Sequence, residues 1–336
     1  MSALDAGAAL PRKRTDILPA LTPLLVMLVA APLVGSPSTF VTLTAAGLAM
    51  GMMIFTMASG LTLVFGMMDV LNFGHGAFIA LGAYVATLVL LPLGAWAASD
   101  SLALNLALFG LAALAAALAC GVAGWAFERL IVKPVYGQHL RQILATIGGS
   151  IVVEQLLYAL FGPDQIPVSL PETFRGSFVF GDAAVEKYRL LATLVGLAVF
   201  AGEMVILNRT KIGLLVRAGV ENREMVEALG YRIDRLFVGV FMAGSALAGL
   251  GGAMMALYRG QVHGSMGAEF LVLCFIVIII GGLGSVGGSF VAAILVALIA
   301  NYAGFLAPKL ALVSNILAMV VVLLWRPRGL YPVSGR

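Results

Sequence analysis

Residues Gly60 to Ala86, GLTLVFGMMDVLNFGHGAFIALGAYVA, are apolar enough to lie in a membrane, yet the middle of the stretch breaks that pattern. Asp69, Asn72 and His75 sit there among Gly66, Gly74 and Gly76. A polar side chain at membrane depth is costly, so it marks a pathway or a packed interior rather than lipid contact. Glycines beside such residues predict a helix that stops, turns and restarts. Bilayers tolerate irregular backbone only inside protein or along a cavity. The stretch therefore predicts an interrupted helix held within a bundle.

The remainder of the chain agrees. Its 336 residues are 61% hydrophobic and only 11% charged, with a mean hydropathy of +1.06, where a soluble domain carries about 25% charged residues. This is an all-α, polytopic membrane helix bundle. A membrane β-barrel would show short alternating segments instead. The 40 glycines suit helices that pack closely through small residues. Apolar runs lie at Ile17 to Val34, Phe40 to Trp96, Leu102 to Phe127, Ile143 to Phe161, Leu190 to Leu207, Leu236 to Tyr258, Phe270 to Ile280, Ser289 to Phe305 and Leu310 to Trp325. The second is too long for one crossing and fits two spans with an irregular middle. About ten crossings result if every segment spans fully, and about eight if the short pieces beside the glycine breaks are re-entrant. The whole of 1–336 reads as a single transmembrane domain.

The net charge of +4 does not indicate nucleic-acid binding, because the cations are dispersed at the ends of apolar runs. That is the pattern of the positive-inside rule. Basic segments at Pro11-Arg12-Lys13-Arg14, 133–141, 208–235 and Arg326-Pro327-Arg328 are expected in the cytoplasm. The loops at 35–39, 98–101, 162–189 and 259–269 then face outside, and both tails, 1–16 and 326–336, are cytoplasmic. The first run can be read as a signal peptide, but with so many later spans a retained helix is simpler. Cys120 and Cys274 lie in apolar runs, and neither they nor the scattered histidines have metal-ligand spacing. There is no H-E-x-x-H, and Gly284-Ser285 lacks a G-x-S-x-G frame, which argues against an intramembrane enzyme. Ser285 fits a close-packed turn. No Lys follows a Gly, so no phosphate-binding loop is present and any ATP must sit on another chain.

Candidate pathway residues are Asp69, Asn72, Gly74, His75 and Gly76, with Glu154 as an intramembrane carboxylate. Two readings stay open. The N–H groups that open the helix at Gly74-His75-Gly76 face a substrate carboxylate, with hydrogen bonds from Asn72 and His75. Alternatively, Asp69, Asn72 and His75 only satisfy backbone freed at the break. Glu154, like Asn301 and Asn315, fits an interhelical hydrogen-bonding role better than proton carriage, and Glu203 is expected at the membrane interface. A second glycine cluster, Gly281, Gly282, Gly284, Gly287 and Gly288, marks another break or packing turn. Residues 74–80 echo 286–292, either as an internal repeat or as plain glycine-mediated packing.

The basic loop NRTKIGLLVRAGVENREMVEALGYRIDR, 208–235, is too polar for the membrane. Asn222 to Leu229 suits a helix with Met225, Val226 and Leu229 on one face, stopped by Gly230. Such a helix either docks into a groove on a partner or is a solvated connector whose charges fix topology.

These segments carry a family resemblance. GLTLVFGMMDVLNFGHGAFIALGAYVA at 60–86, RTKIGLLVRAGVENREMVEALGY at 209–231 and GGLGSVGGSFVAAILVAL at 281–298 resemble, in order and spacing, the high-affinity branched-chain amino acid permeases of bacterial ABC importers. The first 40 residues and 162–189 carry no part of it. The resemblance implies an inner-membrane subunit paired with a second, homologous permease. It also implies two cytoplasmic ATPases that hold the ATP, and a periplasmic substrate-binding protein. Glu227-Ala228-Leu229-Gly230 matches the family's coupling motif as a degenerate relative of its Glu-Ala-Ala form. It implies an ATPase contact through Gly213, Arg217, Met225, Glu227, Ala228, Leu229 and Gly230. Leucine, isoleucine or valine is the implied substrate, while related permeases serve urea, amides or aromatic acids. An ion-coupled secondary transporter is the competing class, with Asp69 and Glu154 as its candidate carboxylates.

Overall fold

Thirteen helices are formed by the apolar runs and the basic loop in a computed structural model that describes residues 18–221 and 223–332. Helix α1 (Leu18–Val34) is followed by α2 (Pro37–Met68), which opens on Ser36 with Pro37 in its first turn, where a missing N–H costs nothing. The break follows, then α3 (His75–Leu90) and a single turn α4 (Gly94–Ala97). Helix α5 (Leu102–Phe127) is capped by Ser101 and runs on through a π turn at Glu128–Val132. Then come α6 (His139–Phe161), α7 (Lys187–Arg209), α8 (Lys211–Glu221), α9 (Arg223–Ala228) and α10 (Ile233–Arg259). The last three are α11 (Met266–Gly281), α12 (Val286–Leu306) and α13 (Pro308–Trp325).

Six segments are long and apolar enough to cross a membrane: α2, α5 with its extension to Val135, α6, α7, α10 and α12. Shorter apolar helices are α1, α3, α11 and Val313–Trp325 of α13. The six long and four short pieces fit the expected range of eight to ten crossings. Short strands decorate the loops between them. Ile166–Pro167 (β1) pairs with Gln261–Val262 (β4), and Ser177–Phe180 (β2) pairs with Ala183–Glu186 (β3).

Helix α2 is the axis of the bundle, in contact with α7, α10, α11 and α12. Most of its residues from Ala46 to Val64 are buried. Inside a bilayer burial brings little hydrophobic gain, so close packing and interhelical hydrogen bonds hold helices together. Glycine supplies the first. A Cβ on Gly51 would lie 3.0 Å from the Ile294 Cα of α12, and one on Gly60 would lie 3.0 Å from the Gly244 carbonyl carbon of α10. Gly252 of α10 meets Ile79 of α3, with 2.9 Å from a hypothetical Cβ to the Ile79 carbonyl carbon. Hydroxyls supply the second. Thr62 of α2 and Ser289 of α12 share a 2.7 Å hydrogen bond, as do Thr44 and Tyr302. The Tyr188 hydroxyl of α7 donates to the Met254 carbonyl of α10 at 2.6 Å.

Glu203, six residues before the end of α7 at Arg209, is buried beside Ser59 of α2. Asn301 donates to the Ala297 carbonyl of its own helix at 2.9 Å.

The Thr62–Ser289 pair predicts a modest coupling. A double-mutant cycle with Thr62→Val and Ser289→Ala, read as melting in detergent micelles, is expected to give about 0.6 kcal/mol of interaction energy. Strict additivity would show that the two hydroxyls do not support each other.

Candidate functional site

The break after α2 is built by its own polar residues. Asp69 closes the helix in the left-handed conformation, with φ 53° and its N–H donating to the Phe65 carbonyl at 3.1 Å. Asp tolerates that conformation better than most residues. The Gly74 N–H donates to the Asn72 Oδ1 at 3.0 Å, and the His75 N–H donates to the Asn72 carbonyl at 3.3 Å. The Phe73 N–H donates to the Thr146 hydroxyl of α6 at 3.2 Å. Freed backbone groups thus find partners inside protein, as a membrane requires. His75 opens α3, and its Nε2 lies 2.8 Å from the Met57 carbonyl. Asn72 and His75 are fully buried.

That last bond sets the depth of the break. Met57 lies eleven residues before Met68, the end of α2, which is about 16 Å along a helix axis. Helix α3 therefore starts deep in the bundle and not at a surface. With 16 residues it is about 24 Å long, short of the roughly 30 Å hydrocarbon core.

A second helix begins at the same depth. Helix α11 opens at Met266, also with 16 residues. Its Gly267 faces Gly76 backbone to backbone: a Cβ on Gly76 would lie 2.5 Å from the Gly267 carbonyl oxygen, and a Cβ on Gly267 would collide with the Gly76 carbonyl. From this contact the two short helices diverge. The ring of Tyr84 in α3 packs on Phe161, the last residue of α6, with centroids 4.7 Å apart. Helix α11 instead ends at a turn where Gly284 packs on Gly66, near the far end of α2.

A cavity of about 50 Å³ lies at this junction. Its walls include Gly76 of α3, Gly264 and Gly267 before and within α11, and Ser150 and Glu154 of α6. Glu154 is half-buried, on the stripe of α6 that also turns Thr146, Gly149 and Leu157 inward. Among the described residues it has no hydrogen bond or ion pair. Above the cavity the charges satisfy one another. Arg259 Nη1 lies 3.0 Å from Glu269 Oε2, and His263 lies 3.1 Å from the Ser265 hydroxyl and 3.7 Å from Glu269. The β1–β4 pair anchors the chain as it descends from α10 to Met266.

The candidate pathway residues therefore separate. Gly76 and Glu154 line the cavity, whereas Asn72, Gly74 and His75 build the break beside it, and Asp69 lies exposed at the end of α2. The helix that meets α3 begins at Met266, inside a segment read as an external polar loop. A signal existed: Gly267-Ala268-Glu269-Phe270 parallels Gly76-Ala77-Phe78. The echoing 286–292 also opens a helix, α12, but it does not meet the α3 start.

The second glycine cluster forms the turn between α11 and α12. Gly282 and Gly284 have φ of 101° and 81°, which L side chains rarely adopt. Gly281 and Gly288 touch across the turn, Ser285 accepts from the Gly288 N–H at 3.1 Å, and Gly287 faces open space. The C-terminal segment closes over this turn, with Leu330 and Tyr331 donating to the Ile280 and Gly281 carbonyls at 2.8 and 3.0 Å.

In the basic loop, α8 folds back on α7 because Gly213 lacks a side chain: a Cβ there would lie 2.6 Å from the Leu207 Cα. Arg217 donates to the Asn208 Oδ1 at 3.3 Å. Helix α9 ends as its sequence anticipates. Gly230 has φ 85°, its N–H donates to the Glu227 carbonyl at 2.9 Å, and the Tyr231 N–H donates to the Val226 carbonyl at 3.3 Å. This is a Schellman stop. The expected apolar face divides. Val226 is buried, whereas Met225, Leu229 and Tyr231 are exposed, at 53%, 69% and 50%. Glu227 and Ala228 are exposed as well. Asn222, the expected helix start, lies outside the described residues.

The family model for the branched-chain amino acid transport system permease component matches residues 43–325. The high-affinity branched-chain amino acid transport system permease protein BraD of Pseudomonas aeruginosa is 26% identical over 292 residues, covering 84% of this chain and 93% of BraD. LivH of Escherichia coli, named likewise, is 24% identical, with 84% and 92% covered. LivM of the same organism, also named as a permease protein of that system, is 27% identical, with 94% and 75% covered. No solved structure matches the chain.

The glycine contact predicts a matched pair of outcomes. Gly267→Ala pushes a methyl into the Gly76 carbonyl and is expected to lower the apparent melting temperature, since overpacking costs about 1–3 kcal/mol. Gly287→Ala has open space and is expected to melt like the parent protein. Equal melting of both variants would contradict the close approach.

Proposed function

Because the chain belongs to the family of permease components of branched-chain amino acid transport systems, we propose that it is the membrane subunit of an ATP-driven importer for leucine, isoleucine or valine. It is a multi-pass membrane protein. In the proposed assembly it sits in the bacterial inner membrane with both termini in the cytoplasm. It pairs there with a second, homologous permease and receives substrate from a periplasmic binding protein. Two cytoplasmic ATPase chains hold the ATP, and this chain binds no cofactor. The observation that carries the reading is the match over 43–325, supported by exposed apolar side chains on the basic loop.

The geometry supplies a route for coupling. Leu214, Met225, Leu229 and Tyr231 present exposed apolar surface on a loop too basic to enter the membrane. An ATPase groove that takes up these side chains holds α8 and α9 as one handle. That handle joins α7 directly to α10, and α10 packs on α3 at Gly252 and Gly82. Closure of the ATPases then tilts α10 and changes the junction where α3 and α11 start. Substrate passes along the cavity walled by Gly76 and Glu154, while Asn72, Gly74 and His75 hold the break in shape. Asp69 lies at the cytoplasmic end of this route. Selectivity rests largely with the binding protein, so the path need not bind tightly.

Two measurements test this. Proteoliposomes holding the complete assembly are expected to take up leucine only with internal ATP and the binding protein. Uptake driven by a proton or sodium gradient without the ATPases would contradict the proposal. Gly230→Val is expected to strain the end of α9 by about 1–2 kcal/mol, leaving insertion intact while ATP hydrolysis no longer drives uptake. Normal coupled uptake in that variant would refute the coupling role of the segment.

A further inference from the structure

The cavity at the start of α3 and α11 contains one charge and, among the described residues, no partner for it. Glu154 reaches it from α6, and the facing walls are backbone at Gly76, Gly264 and Gly267 together with apolar side chains. Arg259, on the chain segment that leads to α11, is already paired with Glu269, and His263 lies against Ser265 and Glu269. A carboxylate at membrane depth is costly to leave without a partner. Such groups face cavities or partners and mark substrate paths.

We propose that Glu154 receives the ammonium group of the amino acid in transit, a deepening that rests on the importer reading above. The size of the space agrees. About 50 Å³ is open to groups the size of a water molecule, where roughly 10–15 Å³ in the same measure suffices for one water, so an ammonium group fits. The space thus takes the ammonium group first, and the rest of the substrate enters as α3 and α11 separate. Phe73, Leu157 and Leu271 border the same space and offer an aliphatic side chain its apolar wall. A carboxylate beside an apolar wall suits a substrate that joins an ammonium to a branched hydrocarbon. A neutral solute such as urea or an amide offers Glu154 N–H donors but no positive charge, and so forgoes the charge-assisted part of the bond.

The test uses the complete assembly in proteoliposomes, with binding protein, ATP and labelled leucine. Glu154→Gln keeps the shape and removes the charge. It is expected to lower the maximal uptake rate roughly tenfold or more, the scale of one charge-assisted hydrogen bond, with melting and assembly like the parent complex. Glu154→Asp is expected to recover part of the rate. The same loss is expected with sodium present or absent. Parent-like uptake by Glu154→Gln, while the parent complex imports leucine with ATP, would overturn the ammonium site and leave the importer reading standing. Parent uptake that needs sodium, with Glu154→Gln abolishing that need, would make this a metal-cation site and overturn the proposal. Failure of the parent complex itself to import leucine would overturn the importer reading, and this inference with it.

Discussion

The backbone contact between Gly76 and Gly267 is the constraint on which the rest of the structure depends. Two helices of 16 residues each begin at one depth because neither has a side chain at that point. Neither is long enough to cross alone, at about 24 Å against a hydrocarbon core of roughly 30 Å. Each is preceded by irregular backbone, which survives at that depth only where protein or a cavity surrounds it. Residues 69–74 meet the condition through the Asn72 side chain and the Thr146 hydroxyl, and the His75 ring that follows them lies against the Met57 carbonyl. The chain before Met266 meets it through the β1–β4 pair and the His263–Ser265 contact.

Around this junction the bundle is held by absence of side chains more than by apolar gain. Gly60 with Gly244, Gly82 with Gly249, and Gly66 with Gly284 bring backbones together at successive levels. Hydroxyl pairs such as Thr62–Ser289 and Thr44–Tyr302 add direction where lipid would otherwise compete equally for apolar surface. Helix α10 links the basic loop to the junction. Its first turn follows the basic loop, and its later turns pack on α2, α3 and α5.

Much of this was legible in the sequence. Glycines beside Asp69, Asn72 and His75 marked the interrupted helix, and the structure breaks it at 69–74. Gly230 marked a helix stop and adopts the positive φ that this role needs. Other features were not legible, for physical reasons. Hydropathy does not encode depth, so His263 to Glu269 read as an external loop although α11 starts there beside Gly76. The tie between Gly76 and Gly267 spans most of the chain, and no local period reports it. The burial of Glu203 beside Ser59 depends on how α7 packs on α2, which the sequence of α7 alone does not report. On α9, residue spacing placed Val226 with Met225 and Leu229, but packing turned it inward and left the other two exposed.

The central claim is that the starts of α3 and α11 meet within the membrane and must move apart for transport. Ala77 and Ala268 line the junction from the two helices, so cysteines at these positions, in a chain with Cys120 and Cys274 replaced, provide the direct test. A short bis-thiosulfonate, which joins two thiols through disulfides, is expected to link them and to stop ATP-driven leucine uptake until a reductant cleaves the disulfides. Failure of the two positions to cross-link, or full uptake by the cross-linked complex, would contradict the account.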